Sequence, residues 1–255
     1  MLLAPTVIVL LAAQVHAQDP TFAIPPPPPN NVFVTLNGGF RSLSQTFDQQ
    51  TEFTLYDERG TFDAQHAIRS GVSLEAGGGL RVWRDLWLGA SYAVESRHTR
   101  DVIVNAQVPH PLVRNRHRIA TGTAGGLEHT ERALHVQALL RIPVTVEFDI
   151  TLLAGPTFFE VEDDLVESIT PAEAGAPFST VELSGNVGSR QSHRMTGFNL
   201  GFDMAYMFKR HLGAGVMLRY STGSAGLELP PGSVGPAVDV GAGGIEIGAG
   251  LRLRF

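Results

Sequence analysis

The ionisable side chains of this sequence repeatedly occupy alternate positions within segments whose intervening residues are apolar. Arg41, Glu75, Arg81, Glu95, Arg141, Asp149, Asp203, Arg219, Glu246, Arg252 and Arg254 follow this rule, giving six arginines and five acids. A guanidinium is a planar fork that takes a carboxylate two hydrogen bonds at a time. The set therefore suits an ion-pair network in an enclosed space. A solvated face would ordinarily mix lysine with arginine, yet the one lysine is Lys209. Cysteine is absent, which excludes disulfides, thiolate metal sites and cysteine nucleophiles.

Other groups carry weaker chemical signals. Arg97, Arg100, Arg114, Arg116 and Arg118, with His98, His110 and His117, make one polar stretch basic. Glu160, Glu162, Asp163, Asp164 and Glu167 make another acidic. The basic stretch has the chemistry to hold lipopolysaccharide phosphates bidentately, although pairing between the two stretches, or simple solvation, is the preferred expectation. Ser91, His135 and Asp149 share the polar parity and supply the residue types of a lipid A acylase or deacylase. Spacing alone does not bring them within reach, so His135 is expected to be a hydrogen-bonded interior residue. Glu128-His129-Thr130-Glu131 lacks the two-histidine spacing of a zincin. The runs Gly38-Gly39, Gly77-Gly78-Gly79 and Gly241-Ala242-Gly243-Gly244 fall in strand-like segments and do not form a phosphate loop. Neither a metal nor a cofactor is expected.

Eight segments of period-two alternation must position these groups. Their apolar residues begin at Val32, Val72, Leu88, Leu134, Phe148, Phe198, Leu212 and Ile245, and the last segment runs to Phe255. Each is long enough for the roughly 9–11 residues of a tilted membrane strand. The connections near residues 84, 143 and 210 are short, whereas those at about 44–64, 96–130, 160–194 and 222–237 are long and polar. Strict alternation of short turns and long loops is the habit of outer-membrane barrels, and an even strand count returns both ends to one side.

The apolar face carries no charge at the strand centres, where an arginine at the bilayer midplane would cost about 2–4 kcal/mol. Aromatic residues gather at strand ends: Trp83, Trp87, Tyr206, Phe208 and Phe255 at one, Phe40, Phe158 and Tyr220 at the other. Girdles of that kind mark membrane interfaces. A soluble sandwich, or a lipocalin-like barrel with its apolar face inward, would alternate too, but a sandwich does not require short and long connections to alternate strictly, and the solvated face of either would ordinarily carry lysine.

Leu2 to Ala13 is an apolar stretch too short to span a bilayer, followed by Val15-His16-Ala17. It has the form of a secretory leader over residues 1–17, cleaved after Ala17. Residues 18–30, with prolines from Pro25 to Pro29, read as a stiff periplasmic spacer, leaving 31–255 for the barrel. A net charge of −6 with both signs plentiful gives no reason to expect nucleic acid.

The C-terminal run Gly248-Ala249-Gly250-Leu251-Arg252-Leu253-Arg254-Phe255 resembles the last strand of outer-membrane barrels. Asn37-Gly38-Gly39-Phe40, the stretch from Gly77 to Arg84, and Gly155-Pro156 resemble the small outer-membrane β-barrel family of OmpA and OmpX, over about Val32 to Phe255. The resemblance implies an all-β, eight-stranded antiparallel up-and-down transmembrane barrel in the cell outer membrane. It also implies a C-terminal signal at Leu251, Leu253 and Phe255 that the barrel assembly machinery reads. Partners would be outer-membrane lipid and lipopolysaccharide, and the chain would act as a monomer. No peptidoglycan-binding domain is expected after the barrel. No catalytic motif defines the family, so the functional expectation is a non-enzymatic surface barrel with long external loops. A small-solute pore is the alternative, followed by a lipid A-modifying enzyme.

Overall fold

The computed structural model describes residues 30–42, 45–68, 70–98, 102–227 and 238–255; the expected leader and almost all of the expected proline spacer lie outside them. Twelve strands occur among these residues and no helix. They are β1 (Val32–Ser42), β2 (Gln45–Leu55), β3 (Glu58–Ile68), β4 (Gly71–Trp83), β5 (Leu86–His98) and β6 (Val102–Pro109). Then follow β7 (His117–Ala124), β8 (Glu128–Pro143), β9 (Phe148–Glu173), β10 (Val181–Met207), β11 (Leu212–Leu227) and β12 (Val238–Arg254).

Eight of them close a barrel. The antiparallel order β1-β4-β5-β8-β9-β10-β11-β12 returns to β1 through pairs such as Leu36 with Leu251 and Arg41 with Glu246. The chain ends lock that seam, since Val32 donates to the Phe255 carbonyl at 2.9 Å and Phe255 donates back to Val32 at 2.9 Å. Each predicted segment lies in one of these eight strands. Closure leaves no open edge within the wall, as a bilayer requires.

The side chains divide by face. Val34, Leu36, Val72, Leu74, Leu88, Leu152, Leu200, Ile247 and Leu251 point outward and are exposed. Their neighbours of opposite parity, including Asn37, Glu75, Ser91, Gln137, Asn199 and Arg252, are buried inside. Water would not tolerate so continuous an exposed apolar belt, so the barrel is a transmembrane one of the outer-membrane type. The interior is not wholly polar. Trp87, expected in the aromatic girdle, is buried instead and meets the Phe33 ring edge to face at 5.6 Å, with Leu139 and Leu153 packed beside it. Parity decides this: Trp87 shares its phase with Gly89 and Ser91, so the pleat turns it inward. Gly79 and Gly89 make room, because a Cβ at Gly79 would stand 2.6 Å from the Phe33 ring.

The long connections are the larger departure from expectation. Much of what reads as polar loop is strand: β2–β3 and β6–β7 are hairpins, and β9 and β10 extend 26 and 27 residues, well beyond the wall. Above the barrel, β10 exchanges β11 for β7, pairing in parallel at Leu183 with Gly122. The resulting sheet β2-β3-β6-β7-β10-β9 forms an external head. Its inner face packs Phe62, Ala64, Val102, Val104, Ala106, Val108 and Leu127 against Val166 and Leu183. At the open side of the roll, Gln49 of β2 donates to the Val166 carbonyl of β9 at 2.8 Å. The β2–β3 turn holds Tyr56 and Asp57 at φ of 53° and 58°, the left-handed pair that a two-residue hairpin needs.

Candidate functional site

Two tiers of ion pairs cross the barrel interior. In the tier nearer the head, Arg41 reaches from β1 to Glu95 at 3.4 Å, to Glu246 at 3.3 Å and to Glu131. Arg219 of β11 meets Glu246 at 2.6 Å and also Glu75. Ser73 donates to Glu246 at 2.7 Å, and Asn37 donates to Glu75 at 3.1 Å. Both arginine side chains are at most 1% exposed. Six strands thus contribute to one knot, and removing either arginine would leave buried carboxylates short of a partner.

The tier at the periplasmic end is joined to the first through Asn37. Arg252 grips Asp203 through two nitrogens, with Nε at 2.9 Å, and donates to Asn37 at 2.6 Å. Arg254 holds Asp149 bidentately at 2.6 and 2.8 Å, and Arg141 joins it at 3.0 Å. Between the tiers lies a cavity of about 70 Å³ bordered by Phe33, Trp87, Gln137 and Leu153. It is large enough for a few waters. The knot of Arg41 and Arg219 separates it from the outside.

Of the residues expected in this network, Arg41, Glu75, Glu95, Arg141, Asp149, Asp203, Arg219, Glu246 and Arg252 lie in one or other tier. Arg81 does not: it sits at the rim and donates to the Arg84 carbonyl of the turn. Glu131 belongs to the upper knot although the sequence reading assigned it to no segment. Its alternation with Ala133 and His135 was the available signal. Ser91, His135 and Asp149 are not assembled into a catalytic set. His135 Nδ1 is bonded to Thr157 Oγ1 at 2.8 Å, Ser91 accepts from Arg219 at 3.4 Å, and Asp149 belongs to the other tier.

The basic stretch is dispersed. Arg114 and Arg116 stand exposed on the β6–β7 tip, where Arg114 approaches Glu58 at 3.7 Å. Arg118 is buried: it binds Glu173 at 2.5 and 2.7 Å, the Phe178 carbonyl at 3.0 Å and the Pro109 carbonyl at 2.8 Å. The side chain of Arg97, and Arg100 altogether, lie outside the described residues. Among the described residues, the acids of the other stretch do not pair with this cluster. Glu160 meets Arg194, Glu162 meets Arg132, Asp163 meets His129 and Asp164 meets Arg190. The partners come from β8 and β10, because cross-strand register places them side by side.

Electrostatics in the head follow from these contacts. The hydrogen bond from Arg118 holds the Glu173 carboxyl below the usual range, and that from Arg190 does the same for Asp164. Burial pushes His66 down to about 4, and its Nε2 lies 3.1 Å from the Gln49 side-chain oxygen. At the other end Leu251 and Leu253 lie on the outward face of β12 and Phe255 follows it, exposed, with His211 stacked on the Phe255 ring at 5.7 Å.

No protein-family model and no curated protein matches the sequence. Solved structures to which the chain is similar include neisserial surface protein A, at 12% identity over 88% of this chain and 97% of that one, with a TM-score of 0.46. OprG from Pseudomonas aeruginosa shares 13% identity over 89% and 96% of the two chains, with a TM-score of 0.44. The outer-membrane protease OmpT from Escherichia coli shares 11% over 92% and 99%, also at 0.44. At such values the likeness decides nothing about activity. The barrel is established by this chain's own strand pairing and the chemistry of its two faces.

Proposed function

We propose that the chain is an outer-membrane barrel, exported with removal of a leader ending at Ala17, that serves as a closed base for a non-enzymatic contact surface formed by the external head. The observation that carries this reading is the head's own apolar core, built from four strands that the barrel wall does not need. Unstructured loops would connect the wall equally well. The contact surface faces neighbouring cells, surface glycolipid or partner proteins.

The test is adherence by cells displaying the full chain or a variant in which residues 45–68 and 102–124 are each replaced by a short turn. Retention of the heat-dependent electrophoretic shift of a closed barrel shows that the base still folds. Adherence should fall with the head. Unchanged adherence overturns the reading. The pore alternative predicts resolved openings in planar bilayers, against which stand the buried Arg41 and Arg219 side chains. An enzyme is disfavoured because Asp149 lies in the other tier, while His135 and its cross-strand neighbour Ser91 are bonded to Thr157 and Arg219.

A further inference from the structure

Beyond the head, we infer that the outer wall of the barrel carries a binding site for a phosphorylated lipid of the outer leaflet, between the last lipid-facing row and the first charged row of β5, β8, β9 and β10. The lower row is Tyr92, Leu134, Phe158 and Thr196, direct cross-strand neighbours. The row above contains Arg132, Glu160 and Arg194, again side by side. Between them lies a groove of about 350 Å³. Tyr92, Leu134 and Phe158 are all more than 40% exposed on the apolar belt. The groove therefore opens where acyl chains give way to headgroups, and its occupant is a lipid rather than a soluble anion.

The polar row selects the headgroup. Arg132 and Arg194 flank Glu160, and Glu162 balances Arg132, so what the row offers a headgroup is its unspent guanidinium protons. Arg194 spends Nε and Nη2 on Glu160, at 3.1 and 3.0 Å, and leaves Nη1 free; its side chain is 84% exposed. Arg132 reaches Glu162 at 2.6 Å through Nη1 alone. The remaining guanidinium protons and the Thr196 and Tyr92 hydroxyls are donors, which suit a phosphate. Leu134 and the Phe158 ring offer the surface for the chain that follows it. This inference rests on the transmembrane reading and is independent of the head.

The test is native mass spectrometry of the intact folded chain in zwitterionic micelles, titrated with bisphosphorylated lipid A, with the same lipid fully dephosphorylated, and with inorganic phosphate. A one-to-one adduct with the bisphosphorylated lipid is expected, about tenfold weaker for the dephosphorylated lipid and for Arg132→Gln/Arg194→Gln. Arg190→Gln, two rows farther out, should bind as the unaltered chain does. Arg194→Gln alone, a change at an exposed side chain, should weaken the adduct even if the double variant fails to fold. Equal binding by the arginine variants or by the dephosphorylated lipid overturns the proposal. Displacement by millimolar inorganic phosphate overturns its assignment to a lipid. If the unaltered chain lacks a heat-dependent mobility shift, the transmembrane reading itself falls. Loss of adherence in the head-deleted variant with the adduct retained separates this site from the head's role.

Discussion

Arg118 of β7 and Glu173 at the end of β9 form a two-nitrogen ion pair that ties together hairpin tips more than fifty residues apart in sequence. The same guanidinium bonds the carbonyls of Pro109 and Phe178, and Glu173 also accepts from the Tyr56 hydroxyl at 3.2 Å. Three hairpins are thereby joined at the apex of the head, and Asn115 adds a fourth tie by donating to Glu58 at 2.9 Å.

Replacing Arg118 by alanine should loosen the head and spare the barrel. Breaking a largely buried pair leaves carboxylate and carbonyl acceptors unmatched, at a cost of about 3 kcal/mol. Limited proteolysis should then cut within residues 102–124 while the heat-dependent mobility shift persists. Undiminished protease resistance would show that the apex is not held by this pair.

Acid should open the head before it disturbs the barrel. His66 is neutral when folded and titrates at about 4 because burial disfavours its charge, against 6.5 when unfolded. As pH falls from 6.5 toward 4 the unfolded form gains a proton that the folded form refuses, so stability is lost across that window, by roughly 3 kcal/mol in full. Glu173 and Asp164, both held low by arginines, lose their stabilising contribution as pH falls through the carboxylate range. The protection factors of amides in β2 and β3, taken against the intrinsic exchange rate at each pH, should fall between pH 7 and 4.5. His66→Gln should flatten the upper part of that dependence, and an unaltered profile in this variant would remove His66 as the cause.

The interior knot should be responsible for closure. The unaltered chain should give no resolved channel openings, whereas Arg41→Ser/Arg219→Ser should admit water and ions and lower the temperature of the mobility shift. Single substitution of Arg219 should destabilise by about 3–5 kcal/mol, since Glu75 and Glu246 would remain buried beside it. A silent double variant that still folds would show that other side chains seal the barrel.

The two tryptophans should report the two faces separately. Trp83 is 66% exposed at the periplasmic rim, while Trp87 is 5% exposed inside. In bilayers of brominated lipid, Trp87→Phe should leave a strongly quenched emission and Trp83→Phe a weakly quenched one. Equal quenching would contradict the inward placement of Trp87.

By itself the sequence determined the wall of this protein. Period-two alternation is a local property, so the phase of each segment could be read directly, and with it the face on which Leu200 or Arg219 must lie. The same parity rule places Trp87 inside and Glu131 in the knot, although end position suggested a girdle for one and the other fell just outside its segment. Val102, Val104, Ala106 and Val108 alternate as plainly as any wall strand, but polar flanks disguised them. What only the tertiary structure decided is partnership. Which acid meets Arg41 depends on strand register and shear around a closed ring, and the meeting of Arg118 with Glu173 depends on β10 leaving β11 for β7. Those relations join residues tens to hundreds of positions apart, and no local pattern encodes a distance across a barrel.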